Sequence, residues 1–281
     1  MFEPHQKHII AIWNVSPDSF SSDAESEDVS SCSYAQKISR QGADIIDIGA
    51  ESTRPGAIPI TPEEEMARLE SPLSWARTVL PCPLSLDSRY PETIEWALNH
   101  DFVDIINDIG GTEDISESRE GRIYRAVANA NAAIILMAWF PHDARELPFD
   151  DCMKRIEDQL RKRRDFAIKC GIDPRKIVLD PGIGFGKGLF NDYRLISEAP
   201  AALAHLSCPV LIAHSRKRCI AKLAGCSGTT PQTLHMLDTA TAMVSLMAFQ
   251  HGAAAVRVHS PALNVIARQM ATYDGSVFQL F

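Results

Sequence analysis

The sequence predicts an α/β chain folded as a single (β/α)8 barrel, with its active site at the carboxyl ends of the strands. Two observations predict it. Eight short apolar runs alternate with longer segments of helical period from one end of the chain to the other. Their spacing over 281 residues matches the size of one such barrel. The alternation alone would suit a doubly wound open sheet as well. No linker or low-complexity stretch divides the chain, so residues 1–281 read as one domain.

The strand candidates run in order as HIIAIW (8–13), DIIDI (44–48), PLSLD (83–87), VDIIN (103–107), AAIILM (132–137), KIVLD (176–180), PVLIA (209–213) and AAAVRV (253–258). Each is short and largely apolar on both faces, as a strand covered by helices must be. Between the second and third runs, Thr61-Pro62-Glu63-Glu64-Glu65 supplies an N-cap, a first-turn proline and acids at the favourable end of a helix dipole. Between the fifth and sixth, segment 151–170 carries Met153, Ile156, Leu160, Phe166 and Ala167 at roughly helical spacing. Its RKRR run at 161–164 reads as a solvated face. Between the seventh and eighth, 231–251 is a long helix apolar enough to be well buried.

Composition narrows the function classes. With 45% hydrophobic and 23% charged residues the chain can bury a large core. A formal net charge of -8 argues against a general nucleic-acid binder, which needs a basic surface. The first residues, MFEPHQKHII, lack the basic start and long apolar stretch of a signal peptide, and no apolar run is long enough to span a membrane. Seven cysteines without CxxC spacing read as reduced thiols, so the expected location is the cytoplasm.

The residues at the strand ends carry the chemistry. The runs end in or lead into Asn14, Asp87, Asn107, Asp180, Ser215-Arg216-Lys217 and Arg257-Val258-His259, and the second is followed by Glu51-Ser52-Thr53-Arg54. Any one of them has an ordinary structural reading. Asn and Asp cap helices and form turns. Asp44 and Asp47 read as strand terminators, and Arg216 as a cap or a surface partner. Together they suggest a site. Asp87, Asn107 and Asp180 offer directional donors and acceptors to a flat heterocycle, and Arg54, Lys217, Arg257 and His259 offer positive charge to a diphosphate or carboxylate. DPGIGFGKG (180–188) fits neither common phosphate-loop pattern and reads as a strand-to-helix turn that brings backbone close to a ligand.

At this point the sequence resembles the dihydropteroate synthases. NVSPDSFS (14–21), ADIIDIGAESTRPGA (43–57), SLDS (85–88), IND (106–108), LDPGIGFGK (179–187), SRK (215–217) and RVH (257–259) follow the family's motifs in the family's order. The resemblance implies condensation of 6-hydroxymethyl-7,8-dihydropterin diphosphate with p-aminobenzoate, assisted by Mg²⁺, in a homodimer. By motif, Asp87, Asn107, Met137, Asp180, Phe185 and Lys217 match the pterin site. Asn14, Thr53, Arg54, Arg257 and His259 match the diphosphate site, with Asn14 linked to the metal. Phe20, Thr53, Pro55, Phe185 and Lys217 resemble the p-aminobenzoate pocket, and Arg218 would add a cation near its carboxylate. Asn14, Asp87, Asp180, Lys217, Arg257 and His259 are the residues expected to carry catalysis.

The chain departs from the family pattern in several places. Ser22-Asp23-Ala24 stands where Asp-Gly-Gly is usual, Ala138 where a histidine is common, and Ala50, Arg218 and Ser260 replace a frequent glycine, serine and aspartate. Two other readings share the pterin carboxylates. One is a methyltetrahydrofolate:corrinoid methyltransferase, which needs no diphosphate site and so leaves SRK and RVH unexplained. The other is a catalytically silent pterin-binding paralogue, supported only by the altered first loop.

Overall fold

A computed structural model describes residues 2, 6–15, 31–51, 59–110, 119–140 and 147–273 of the chain. Its strands are β1 (His8–Asn14), β2 (Ile45–Gly49), β3 (Leu84–Asp87), β4 (Ile105–Asp108), β5 (Ala133–Met137), β6 (Ile177–Asp180), β7 (Leu211–Ile212) and β8 (Ala255–Val258). Helices α1 (Ser31–Arg40), α2 (Pro62–Val79), α3 (Pro91–Asn99), α4 (Arg119–Asn129), α5 (Phe149–Lys169) and α6 (Leu189–Leu203) follow the first six strands in turn. Helices α7 (Arg218–Leu223) and α8 (Pro231–Gln250) both lie between β7 and β8, and α9 (Pro261–Ala271) follows β8.

Every strand pair is parallel, in the order β6-β5-β4-β3-β2-β1-β8-β7. The parallel bridge Leu179↔Val210 and the bond from the Leu179 N–H to the Pro209 carbonyl (2.9 Å) join β6 to β7 and bring the two ends of the sheet together. The alternation in the sequence therefore resolves as a barrel and not an open sheet.

Strand parity explains the layering. Residues of one parity on each strand point outward and pack under the helices: Ile9, Ala11 and Trp13 on β1, Ile46 and Ile48 on β2, Ile134 and Leu136 on β5, together with Ile38, Leu69, Leu73, Ile156 and Leu160 from the helices. Residues of the other parity fill the barrel. At its amino-terminal end these are apolar: Ile10, Ile45, Ile105, Ala133, Ile135, Val178, Leu211 and Ala255, with Phe2 among them. The strands are thus apolar on both faces only through their first residues, and the inward positions turn polar toward the carboxyl ends.

Local sequence signals account for several helix ends. The Thr61 hydroxyl accepts the Glu64 N–H at 3.2 Å with Pro62 opening α2, as its capping sequence predicts. Thr230 and Pro231 do the same for α8, where the Thr230 hydroxyl accepts the Thr233 N–H.

Three expectations need correction. Helix α8 is not well buried throughout: Leu237, Thr241, Ser245, Ala248 and Phe249 face the barrel, while Met243 is 69% exposed, because a helix on a barrel covers the sheet with one face only. The RKRR run is not simply a solvated face. Arg163 is buried and donates to Asp108 (2.5 Å), to the Met137 carbonyl (2.6 Å) and to the Tyr124 hydroxyl. Burial opposes charge on Asp108, but Arg163 and Arg119 outweigh it and hold its carboxyl below the usual range. Finally, neither Asp44 nor Asp47 terminates its strand. Asp44 precedes β2 and accepts from the Ile9 N–H (2.7 Å) and from Arg268 (2.5 Å), and Asp47 stands in the middle of β2.

Candidate active site

The inward parity that begins with isoleucine and valine ends in functional groups. Following the register around the barrel, Asn14 lies beside Gly49, Asp47 beside Ser85, Asp87 beside Asn107, Asn107 beside Ile135, and Met137 beside Asp180. Arg257 stands two residues beyond the inward-facing Ala255 on β8. In-register neighbours on parallel strands project to the same side. Asp87, Asn107, Met137, Asp180 and Arg257 therefore converge on the carboxyl-terminal mouth of the barrel, with Asn14 and His259 at its rim.

The mouth is a network of charges. Arg257 Nε donates to Asp47 Oδ2 at 2.6 Å, and its Nη2 donates to Asp87 Oδ2 at 2.5 Å. Asn107 Nδ2 donates to the same Asp47 oxygen at 3.0 Å. Burial pushes the Asp87 carboxyl up to about 7; Arg257 opposes that shift, and the nearby Asp47 and Glu65 carboxylates add to it. One guanidinium between two carboxylates leaves a net negative charge in a desolvated site, so one acid is easier to protonate. Burial also disfavours the charge on Arg257, yet Asp47 and Asp87 keep its pKa above the ordinary guanidinium range. Asp47 Oδ1 and Asp87 Oδ1 are both buried without a hydrogen-bond partner among the described residues. Buried acceptors of that kind are costly unless a ligand or water completes them.

Asp180 sits across the mouth. Its Oδ1 accepts the Gly182 N–H at 2.7 Å, and burial raises its carboxyl while Lys217 holds it down. Burial lowers the Lys217 ammonium, against the pull of Asp180. Lys217 Nζ donates to the Ile183 carbonyl and lies 4.8 Å from the centre of the Phe185 ring. The turn that carries Phe185 is built on left-handed glycines. Gly182 has φ +71°, and a Cβ there would lie 1.9 Å from the Ala138 carbonyl oxygen, so no other residue fits.

Lys187 fixes this turn from beneath. Its fully buried ammonium donates to the carbonyls of Ala138 (2.8 Å), Gly182 (2.9 Å) and Phe185 (3.0 Å) and lies 4.4 Å from the centre of the Phe140 ring. Burial pulls its pKa down to about 7, with Asp192 pulling the other way.

The remaining expected residues sort as follows. Ser215 Oγ lies 2.9 Å from His259 Nδ1 and accepts the His259 N–H, which ties the SRK and RVH motifs together. Arg216 is turned away into a two-bond pair with Asp238. Arg218 opens α7 with an exposed side chain whose charge acts on Asp192, the acceptor of the Gly184 N–H. Phe20, Thr53, Arg54 and Pro55 lie outside the described residues. The residue that sequence reasoning missed is Asp47. A charged residue inside an otherwise apolar strand, IIDIG, was the signal that could have found it.

The residues 10–259 match the family described as pterin binding enzyme, a span that begins on β1 and ends on the rim histidine. The chain belongs to the pterin-binding enzymes. Its relatives in this family include the dihydropteroate synthases of Neisseria meningitidis serogroup C, 35% identical over 89% of this chain and 87% of the relative, and of Mycobacterium leprae, 32% identical over 92% and 90%. The barrel is similar to that of the Xanthomonas albilineans dihydropteroate synthase solved with 4-aminobenzoic acid (TM-score 0.80, 32% identity, 98% of this chain and 93% of that one). It is similar also to the same organism's enzyme in complex with 7,8-dihydropteroate (TM-score 0.78, 28% identity, 99% and 94%).

Three of the departures from the family pattern, Ala50, Ala138 and Ser260, sit quietly in this pterin-binding barrel, while Ser22, Asp23 and Ala24 lie outside the described residues. Ala50 is fully buried among the outer core residues. Ala138 needs only its backbone: its N–H donates to the Asp180 carbonyl and its carbonyl accepts from Lys187. Ser260 occupies the position before α9 and accepts there through its carbonyl from Asn264.

Proposed function

We propose that this chain is a dihydropteroate synthase: it joins the methylene carbon of 6-hydroxymethyl-7,8-dihydropterin diphosphate to the amino nitrogen of p-aminobenzoate and releases diphosphate. The observation that carries the reading is the mouth itself. Two carboxylates and a carboxamide (Asp87, Asp180, Asn107) are set beside two half-buried cations (Arg257, Lys217), acceptors and cations suited to a flat heterocycle that bears an anion.

In this reading Asp87 Oδ1 and Asp180 accept the N–H groups of the pterin edge, and Asn107 and Lys217 complete the ring's contacts. Met137 and Phe185 line the pocket. As diphosphate leaves, negative charge grows on its oxygens, and Arg257 and His259 stabilise that growth. The methylene carbon becomes cationic in conjugation with the pterin, and Asp87 and Asp180 favour that charge. The amine of p-aminobenzoate is neutral near pH 7 and attacks directly, so the chain needs no strong base. Lys217, Phe185 and Arg218, with Phe20, Thr53 and Pro55, are assigned to the p-aminobenzoate side; Thr53 and Arg54 to the diphosphate.

Among the described residues no three His, Cys, Asp or Glu side chains form a metal-binding group. Mg²⁺ needs no such cage, since it commonly keeps several waters and takes one or two protein oxygens besides substrate phosphates. The Asn14 carboxamide at the rim suits that mode. When bound, Mg²⁺ supplies charge to the departing phosphate oxygens.

The wider setting belongs to the same proposal. We assign the chain to the cytoplasm, in keeping with seven free thiols and with the lack, among the described residues, of any helix long and apolar enough to cross a membrane. The barrel is taken as one domain acting as a homodimer. The exposed Met236 and Met243 of α8, with Ile266 and Met270 of α9, offer an apolar face for the second copy. The deciding experiment is an assay of diphosphate release and dihydropteroate formation with both substrates and Mg²⁺ at saturation. No product would overturn the reading, and tight pterin binding without product would favour the silent paralogue instead.

A further inference from the structure

Asp47 touches two of the groups assigned to ligand recognition. Its Oδ2 accepts from Asn107 Nδ2 at 3.0 Å and from Arg257 Nε at 2.6 Å, and the residue is wholly buried. We infer that Asp47 is a positioning residue: through one carboxylate oxygen it sets which way the Asn107 amide faces and where the Arg257 guanidinium stands, and so defines the heterocycle the mouth accepts. The inference rests on the pterin reading above and adds to it a determinant of specificity.

Asn107 can present either a carbonyl or an NH₂ to a ligand, and the two differ little in shape. An ionised carboxylate can only accept, so the face of Asn107 turned toward Asp47 must be its NH₂. The carbonyl is then the free end, and the neighbouring polar group across the register is Asp87, itself an acceptor with a free Oδ1. Two acceptors side by side select a ligand edge that offers two donors, such as a ring N–H next to an amino group. With the amide reversed, the same mouth would ask for a donor and an acceptor. Asp47 thus fixes the pattern without reaching the ligand.

The second consequence concerns Arg257. Its Nε–H is held by Asp47 and one Nη2–H by Asp87, which leaves the other N–H donors of the fork for an anion. Anchoring at Nε restrains the plane of the guanidinium before any ligand arrives, and that preorganisation reduces the ordering cost of binding. Asn107 is 60 positions from Asp47 in the chain and Arg257 is 210, so the two contacts join β4 and β8 to β2 across the barrel interior.

A purely structural Asp47 would act through its charge alone, as the counterion of a half-buried arginine. Two variants separate the roles. Asp47→Asn removes the charge but keeps a carbonyl oxygen able to accept from both donors, whereas Asp47→Leu removes the acceptor as well. With a pterin lacking the diphosphate as the calorimetric probe, Asp47→Leu should lose at least about tenfold in affinity. Asp47→Asn should stay within about threefold of wild type. Asp47→Leu added to Asn107→Ala should cost little more than Asn107→Ala alone, because both changes disable the same group. Equal losses for the two Asp47 variants, or additive losses with Asn107→Ala, would overturn the inference. Should Asp47→Leu not fold, the ligand-free crystal structure of Asp47→Asn decides. Asn107 and Arg257 still bonded to the oxygen of residue 47 support the inference, and both donors turned away with pterin affinity unchanged overturn it. Wild-type protein that binds no pterin would instead defeat the functional reading. The positioning claim would then be judged on the crystal structures alone, by whether Asn107 and Arg257 move when the acceptor is removed.

Discussion

Arg257 Nη2 donates to Asp87 Oδ2 at 2.5 Å, so the last strand of the barrel is pinned to the third across the mouth. The same guanidinium is bonded to Asp47. The arginine is therefore both a recognition group and the countercharge for two buried carboxylates, and that double duty shapes the experiments that probe it.

Arg257→Ala should destabilise the protein. It leaves Asp47 and Asp87 buried without their cation, a break that typically costs about 3–5 kcal/mol. A variant lacking both Arg257 and His259 would mix this loss with the loss of the anion site. His259→Ala is the cleaner probe, since its ring Nδ1 lies 2.9 Å from the Ser215 hydroxyl, whereas Arg257 is bonded to two carboxylates. It should melt near the wild-type temperature, bind the pterin diphosphate poorly and bind diphosphate-free pterin almost normally. Equal losses for both ligands, measured by calorimetry, would shift the anion site to Arg54 and Lys217.

Asp180→Ala should weaken pterin binding by an order of magnitude or more. The loss of a matched buried recognition group is worth roughly 1–3 kcal/mol, and tenfold corresponds to about 1.4 kcal/mol. Unchanged affinity in a titration of pterin into the variant would show that Asp180 serves only the Gly182 turn.

The Asp87 carboxyl predicts a pH dependence. Its pKa in the folded protein is raised to about 7, above that of the unfolded chain. Between the ordinary carboxylate range and that value the folded state binds the extra proton, so this group's contribution to stability is present at low pH and is lost as pH rises through the window. Melting temperatures of the ligand-free protein should carry this downward slope from about pH 4 to about pH 7, and Asp87→Asn should flatten it. The same slope in the variant would refute the raised pKa.

Lys187→Met should lower both stability and pterin affinity. Three carbonyls, two of them buried, would lose their donor, at a cost of at least about 1–3 kcal/mol, and the turn bearing Phe185 would lose its anchor. Chemical denaturation measures the first effect and calorimetry with pterin the second. A variant as stable as wild type would mean that water replaces the ammonium.

Much of this protein was legible from residues alone. Eight apolar runs, three of them ending in a polar residue, placed Asp87, Asn107 and Asp180 at strand ends because strand length and alternation are local properties of the chain. The capping sequence of α2 was legible for the same reason: Thr61, Pro62 and the Glu64 N–H it satisfies lie within four positions. What the tertiary structure decided is which side each residue faces and what waits there. Asp47 looked like a strand end until the pairing of β2 with β1 and β3 put it inside the barrel, and Arg163 looked solvated until α5 laid it against Asp108 on the outer face of β4. Both depend on register and on partners far away in sequence, 210 positions for Asp47 and Arg257 and 55 for Asp108 and Arg163. A local pattern specifies that a residue is polar and where its strand ends. Only closure of the barrel brings the opposing charge within 3 Å and turns a costly buried carboxylate into part of a site.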